Sequence, residues 1–175
     1  MIPPTFPSFC QYLTGFSRLL GSFMNYWLMK SEPETFSIED LRNRRGQIEP
    51  WDGVRNYQAR NMMRDEMKPG DLAFFYHSNC KDPGIVGIMI INSEAYPDPT
   101  AFDPEDKHYD PKSDPDSPRW YLVDVKLKRK LKRTIKLTEL RGNKLLKNMK
   151  LLQKGNRLSV MPVTKIEWNT ILGME

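Results

Sequence analysis

Thiols are scarce in this chain. Of 175 residues only Cys10 and Cys80 are cysteines. Two cysteines cannot build the disulfide framework on which small secreted domains depend, and their rarity points to a reducing compartment. Histidine is equally rare, with His77 and His108 alone. A structural zinc needs four ligands and a catalytic zinc three plus water. His77, Cys80 and His108 are three soft ligands split between two segments, so no metal is expected. A Cys80 nucleophile would need an oriented base and an oxyanion site, and the sequence reveals neither. No apolar run approaches the roughly 20 residues of a membrane span, so no membrane partner is expected. Paired catalytic carboxylates, a phosphate loop and internal repeats are all missing. These absences argue against an enzyme and against any cofactor.

The 39% hydrophobic content is enough for one domain with a real core. With 27 basic against 22 acidic residues the net charge is +5, and the pI is about 9.2. Such a balance mildly favours a polyanionic partner such as RNA or DNA. Residues 1–23 differ from the rest: Pro3, Pro4 and Pro7, several aromatics and leucines, and a single charge at Arg18. A secretory signal needs its basic region before the apolar stretch, and here the arginine comes late. We read 1–23 as an upstream extension from a mis-called start, or as an amphipathic targeting tail. The domain then spans 24–175.

Along that domain Tyr26–Lys30 is short, apolar and aromatic, and reads as a strand. Ser37 caps a first helix that Gly46 ends, and Asn56 caps a second from Tyr57 to Met67. Ala59, Met62, Met63 and Met67 form the inner face of that second helix. Leu72–His77 and Ile85–Ser93 read as neighbouring strands. Between Pro97 and Pro118 lie six prolines and six aspartates, so this is a loop. Its charge would repel phosphate, which places it away from a nucleic-acid site or makes it a movable lid. Strand character resumes over Arg119–Leu131 and Arg157–Pro162, with short helices over Leu137–Met149. Thr164 and Glu167 form a capping box for a last helix. About five strands with short helices give an α+β domain on a small, barrel-like sheet.

The turn Trp51-Asp52-Gly53-Val54-Arg55-Asn56-Tyr57 and the aromatic strand ending in Tyr76-His77-Ser78 carry the functional signal. Large π-faces beside short polar groups suit a planar, hydrogen-bonding ligand such as a nucleobase. Trp51 lies in polar turn sequence, where it can stack on a flipped base or else plug one end of the barrel. Trp27 lines a pocket or packs in the core. Lys30 and Ser31 finish the first strand, where Lys30 can meet a phosphate and Ser31 a base edge, or both are simply exposed. Arg55, Asn56, Tyr57 and Arg60 open the second helix. There the arginines can hold phosphate and Asn56 can read a base edge as well as cap. Lys126 to Lys136 contains seven basic residues. Lys126 and Lys128 lead this run, which is either a phosphate track or a solvated edge.

Several blocks resemble the EVE domain family: Y-W-L-M-K-S-E-P at 26–33, W-D-G-V-R-N-Y-Q-A-R-N at 51–61, F-F-Y-H-S-N at 74–79, G-I-V-G at 84–87, P-R-W-Y-L-V-D-V at 118–125 and R-L-S-V-M-P-V at 157–163. That family is similar to the PUA-like superfamily, which includes the YTH readers of methylated adenine. The resemblance implies a PUA-like β-barrel, mixed or antiparallel, with peripheral short helices. It implies capture of a modified cytosine or adenine in RNA or DNA. It places Tyr76, His77 and Ser78 beside the pocket, adds Val54, Ser159 and Pro162, and adds Arg157 as a phosphate contact. It also strengthens the reading of Lys30 and Ser31. The expected protein is a monomer of the cytoplasm, or of the nucleus in a eukaryote. The alternatives are a protein–protein adaptor using the acidic loop and, further off, a Cys/His-dependent enzyme.

Overall fold

The computed structural model describes residues 24–175; the reading of 1–23 lies outside them. The strands are β1 (Tyr26–Ser31), β2 (Ile48–Pro50), β3 (Leu72–His77), β4 (Gly84–Ile91), β5 (Tyr96–Pro97), β6 (Tyr121–Leu122), β7 (Asp124–Lys136) and β8 (Val160–Val163). Four helices accompany them: α1 (Ile38–Asn43), α2 (Tyr57–Asn61), α3 (Leu137–Gly142) and α4 (Lys165–Leu172). Six strands form one strongly curled sheet in the order β2-β7-β4-β3-β1-β8, and β5 pairs with β6 apart from it. Among the described residues only β1 and β3 run parallel.

The curl has local causes. The β3–β4 register shifts between Phe75 and Tyr76, and the β4–β7 register shifts between Ile85 and Gly87 and again between Ile88 and Met89. Each irregularity adds twist and bends the strand. At Gly87 a β-carbon would stand 2.6 Å from Ile38 Cδ1 and 3.1 Å from the Arg129 carbonyl. Glycine is what lets α1 and β7 close on β4 from both sides.

Alternation divides the apolar residues between the two faces of the sheet. Trp27, Met29, Ala73, Phe75 and Met89 join α1, Trp51 and the methionines after α2 in one core. Leu28, Phe74, Tyr76, Ile88 and Met161 join Leu140, Trp168 and Ile171 in the other. The Trp168 ring stacks on Phe74 at 3.9 Å between centroids, which seats α4. Asp71 is buried at the start of β3 and accepts from the Asn25 amide, the Asn25 side chain, the Lys68 amide and Trp27 Nε1. A buried carboxylate with four donors fixes where the first strand meets the third.

The expected helices form with their expected caps. Ser37 and Asp40 make a capping box at α1, Asn56 caps α2, and Thr164 with Glu167 cap α4. Ala59, Met62, Met63 and Met67 are all buried as expected. The second helix, however, turns into a π-helical turn over Met62–Glu66.

Of the two placements expected for the proline- and aspartate-rich segment, the distant one is not taken. The segment does not lie away from the Trp51–Tyr57 turn but folds against it. Asp98 is buried and accepts from the Gly53 amide at 3.0 Å, from Arg55 at 2.7 Å and from Thr100. Farther on, Asp103, Asp106, Asp110 and Asp114 each accept the backbone amide two residues ahead. These are Asx turns, which give backbone structure to a stretch its prolines bar from helix and sheet.

Candidate nucleic-acid interface

Because β1 and β3 are parallel, their carboxyl ends emerge side by side, with Ser31 in register with His77. Ser31 lies on the face shared by Trp27 and Met29, and His77 on the face shared by Phe75. An aromatic cluster stands on this face. Trp51 meets Phe75 edge to face at 5.3 Å and 80°, and Phe36 at 6.3 Å and 83°. Phe36 tilts over Phe75 at 6.1 Å, and His77 meets Phe75 at 5.3 Å and 84°. The Trp51 amide is fixed by the Val123 carbonyl at 2.9 Å, and Val54 is buried in the same core.

Two polar devices hold the rim. The Ser78 amide donates to the Ser31 carbonyl at 2.9 Å. His77 Nε2 accepts from the Ile38 amide at 3.1 Å, so this nitrogen carries no proton. Burial lowers the His77 pKa, while Asp40 pulls the other way. Both keep the segment between β1 and α1, which bears Phe36, close to the end of β3.

Other expected site residues are placed elsewhere. Trp27 is 2% exposed and its indole is bound to Asp71, so it is held in the core. Tyr76 points from the opposite face of the sheet into the second core, where burial pushes its phenol up to about 12. Lys30 shares that opposite face and burial lowers its pKa. Strand alternation makes this separation unavoidable: neighbours in sequence cannot share one side. Arg55 is also corrected. Its guanidinium is engaged by Asp98 at 2.7 Å, the His108 carbonyl at 2.7 Å and Thr100 at 2.9 Å. It clamps the acidic segment and has little left for phosphate. Asn56 Oδ1 is used in its cap, accepting from Ala59 at 3.0 Å.

Tyr57 is 53% exposed and stands away from Trp51, stacked on Trp120 at 4.9 Å and 26°. The Arg60 guanidinium lies 5.1 Å from the Tyr57 centroid and 5.9 Å from that of Trp120, and donates to the Arg119 carbonyl. On β7, Lys126 and Lys128 are exposed and, among the described residues, join no ion pair, whereas Arg129, Lys130, Arg133 and Lys136 all do. Arg157 is exposed in the segment before β8, and the Ser159 carbonyl accepts from the Lys30 amide. An open hollow of about 670 Å³ lies at the opposite end of β1, between Asn25, Glu66, Pro162 and Lys165. It touches Trp27 and Pro162 but none of the Phe36–Trp51–His77 cluster. Tyr26 and Trp27 line it beside Asn25, Glu66 and Lys165, but the cluster gathers more rings, Phe36, Trp51 and Phe75 with His77, and is the better candidate. Among the described residues no three His, Cys, Asp or Glu side chains are grouped to hold a metal.

Phe36, Trp120, Asp98 and His108 were not among the expected site residues. Trp120 sits inside the family-like block at 118–125 and could have been found there. Phe36 has no such signal, being one aromatic in an irregular stretch before a cap.

A curled half-barrel of mixed strands with short helices, whose parallel strands end at an aromatic cluster with a polar rim, defines a class of small α+β domain. Comparison narrows this to a family. The EVE domain model matches residues 25–174, and the chain belongs to the EVE domain family. Human thymocyte nuclear protein 1 is 49% identical over 94% of this chain and 80% of its own length. The crystal structure of human THYN1 protein in complex with 5-methylcytosine containing DNA superposes with a TM-score of 0.81. It is 49% identical, covering 86% of this chain and 96% of that one. A protein from Pseudomonas syringae gives a TM-score of 0.81 at 50% identity, covering 85% and 98%. The curled sheet with short helices is therefore the PUA-like architecture of these relatives.

Proposed function

We propose that this protein is a nucleic-acid-binding reader, not an enzyme, and that it captures one modified base at the Trp51 cluster. The observation that carries this is the relative crystallised with 5-methylcytosine containing DNA, which shares this fold at 49% identity. The cluster itself supports it: π-faces on one side and, at its rim, Ser31, His77 and Ser78 with backbone groups able to read a base edge. Trp51 is only 6% exposed, so capture requires a neighbour to yield. Phe36 is that neighbour, half-buried on an irregular segment rather than held in the sheet. Flipping costs a few kcal/mol, so single strands and weakened pairs bind better than intact duplex. Lys126, Lys128 and Arg157 supply flanking phosphate contacts. We further propose a monomer; the relatives' name, nuclear protein, supports a nuclear location.

The test is binding of the full chain to short single-stranded DNA and RNA. The strands carry cytosine, 5-methylcytosine, 5-hydroxymethylcytosine or N6-methyladenine at one position. Modified strands should bind more tightly. Trp51→Ala should remove that gain, a loss of about 5- to 150-fold on the scale of one stacked base, while Trp51→Phe keeps part of it. Binding that is uniform across the panel and indifferent to Trp51 would sink the pocket and leave a basic surface alone.

A further inference from the structure

A second aromatic surface lies outside the cluster. Tyr57 is among the few large apolar side chains of the described residues left exposed, at 53%, yet it is held rigidly. It stacks at 4.9 Å on Trp120, which is only 6% exposed. Trp120 in turn is pinned, because its Nε1 donates to Asp110 at 2.7 Å. Arg55, locked to Asp98, lies 5.5 Å from the Trp120 centroid. The exposed ring therefore rests on a chain of fixed groups and loses little entropy when something settles on it.

The position of Arg60 shows which side is open. A guanidinium covering the outer face of Tyr57 would be farther from Trp120 than from Tyr57 by most of the 4.9 Å stacking distance. The two distances are instead close, 5.1 and 5.9 Å. Arg60 thus flanks the stacked pair, and Tyr57 keeps 53% of its surface exposed. Arg64 sits nearby, 5.6 Å from the Tyr121 ring and paired with Asp65. An open aromatic face bordered by guanidinium groups suits a base with its phosphate better than an apolar side chain.

We propose that Tyr57, backed by Trp120, is a second stacking site that holds an unmodified base flanking the one captured at Trp51, with Arg60 beside its phosphate. This rests on the nucleic-acid reading above. Tyr57 follows Trp51 by six positions, at most about 22 Å of extended chain. A strand with one base in the cluster therefore carries another, within a few nucleotides, to the platform.

The probe is a short single-stranded DNA with one central 5-methylcytosine, in which each neighbouring nucleotide is replaced in turn by an abasic residue. With the full chain, one abasic position should weaken binding by about fivefold or more. Tyr57→Ala should cost a similar factor on the intact strand and make that abasic position neutral. Tyr57→Phe should behave as the parent. 2-Aminopurine at the same position should be quenched by the parent and by Tyr57→Phe, but not by Tyr57→Ala. The coupling should persist in Trp51→Phe and on a strand with plain cytosine, which separates the platform from the pocket. If Trp51 proves irrelevant while the Tyr57–abasic coupling stands, the pocket fails and the platform survives. An abasic loss equal in the parent and in Tyr57→Ala, or no loss at any position, overturns the proposal.

Discussion

At the scale of single residues the site depends on protonation as well as on shape. His77 must stay neutral to accept from the Ile38 amide, and burial favours that form. A histidine whose folded pKa lies below its ordinary 6.5 contributes stability that is complete above that value and declines as the pH falls toward the lowered one. Protonation would also remove the acceptor that tethers the segment carrying Phe36. Amide exchange at Ile38, corrected for intrinsic rates, should therefore rise as the pH drops below 6.5, while exchange in the centre of β3 stays unchanged. In His77→Gln that pH dependence should vanish. If Ile38 exchanges identically at pH 5 and pH 7 in the parent, the tether is not set by this imidazole.

Among the elements, the turn between β2 and α2 and the acidic segment act as one unit. Gly53 adopts φ +71°, and a β-carbon there would stand 2.4 Å from the His108 ring. The positive φ and the packed imidazole both demand glycine. Gly53→Ala should cost about 1–3 kcal/mol and loosen the segment around Asp98 and His108. Hydrogen exchange should show that loosening as faster exchange over 98–110, with β3 and β4 unaffected. Protection left intact in the variant would mean that Arg55 and Asp98 hold the segment without help from the turn.

Elements also show what the sequence could and could not disclose. Periodicity and caps reveal α1, α2, α4 and the hydrophobic strands, because those signals lie within a few residues of one another. Which face of β3 meets the site is a different matter. Phe74–His77 is aromatic throughout, so alternation pairs Phe75 with His77 and Phe74 with Tyr76 without saying which pair turns toward Trp51. The structure decides this through the irregularity between Phe75 and Tyr76 and through α4, whose Trp168 takes Phe74 for the second core. The role of Arg55 was hidden for a similar reason: Asp98, its partner, lies 43 residues away. The family-like block at 51–61 holds both Trp51 and Tyr57 and could not separate them.

For the whole molecule, the net charge of +5 overstates what is available to a polyanion. On β7, Arg129, Lys130, Arg133 and Lys136 are paired with carboxylates from α1, α3, the segment before β4 and the last residue. Lys126, Lys128 and Lys132 carry the unpaired charge of that strand among the described residues. For a single strand each phosphate contact adds about 0.7 to the slope of log K against log salt. Lys126→Gln with Lys128→Gln should therefore lower that slope by about 1.4 for modified and unmodified strands alike, leaving the preference between them unchanged. A slope that does not move would reduce the basic strand to a solvated edge.

The order of strands across the sheet sets the order in which the chain can be completed. β1 is made first, yet its neighbours are β3, some 40 residues on, and β8, which begins only at Val160. During synthesis the outer edge of β1 must wait, unpaired, until β8 has emerged. A bare edge of that kind is an invitation to other strands. The segment from Val160 onward, β8 with α4 behind it, thus acts as the closing seam of the nascent sheet, and a chain cut short before it keeps a sheet with one side still adhesive.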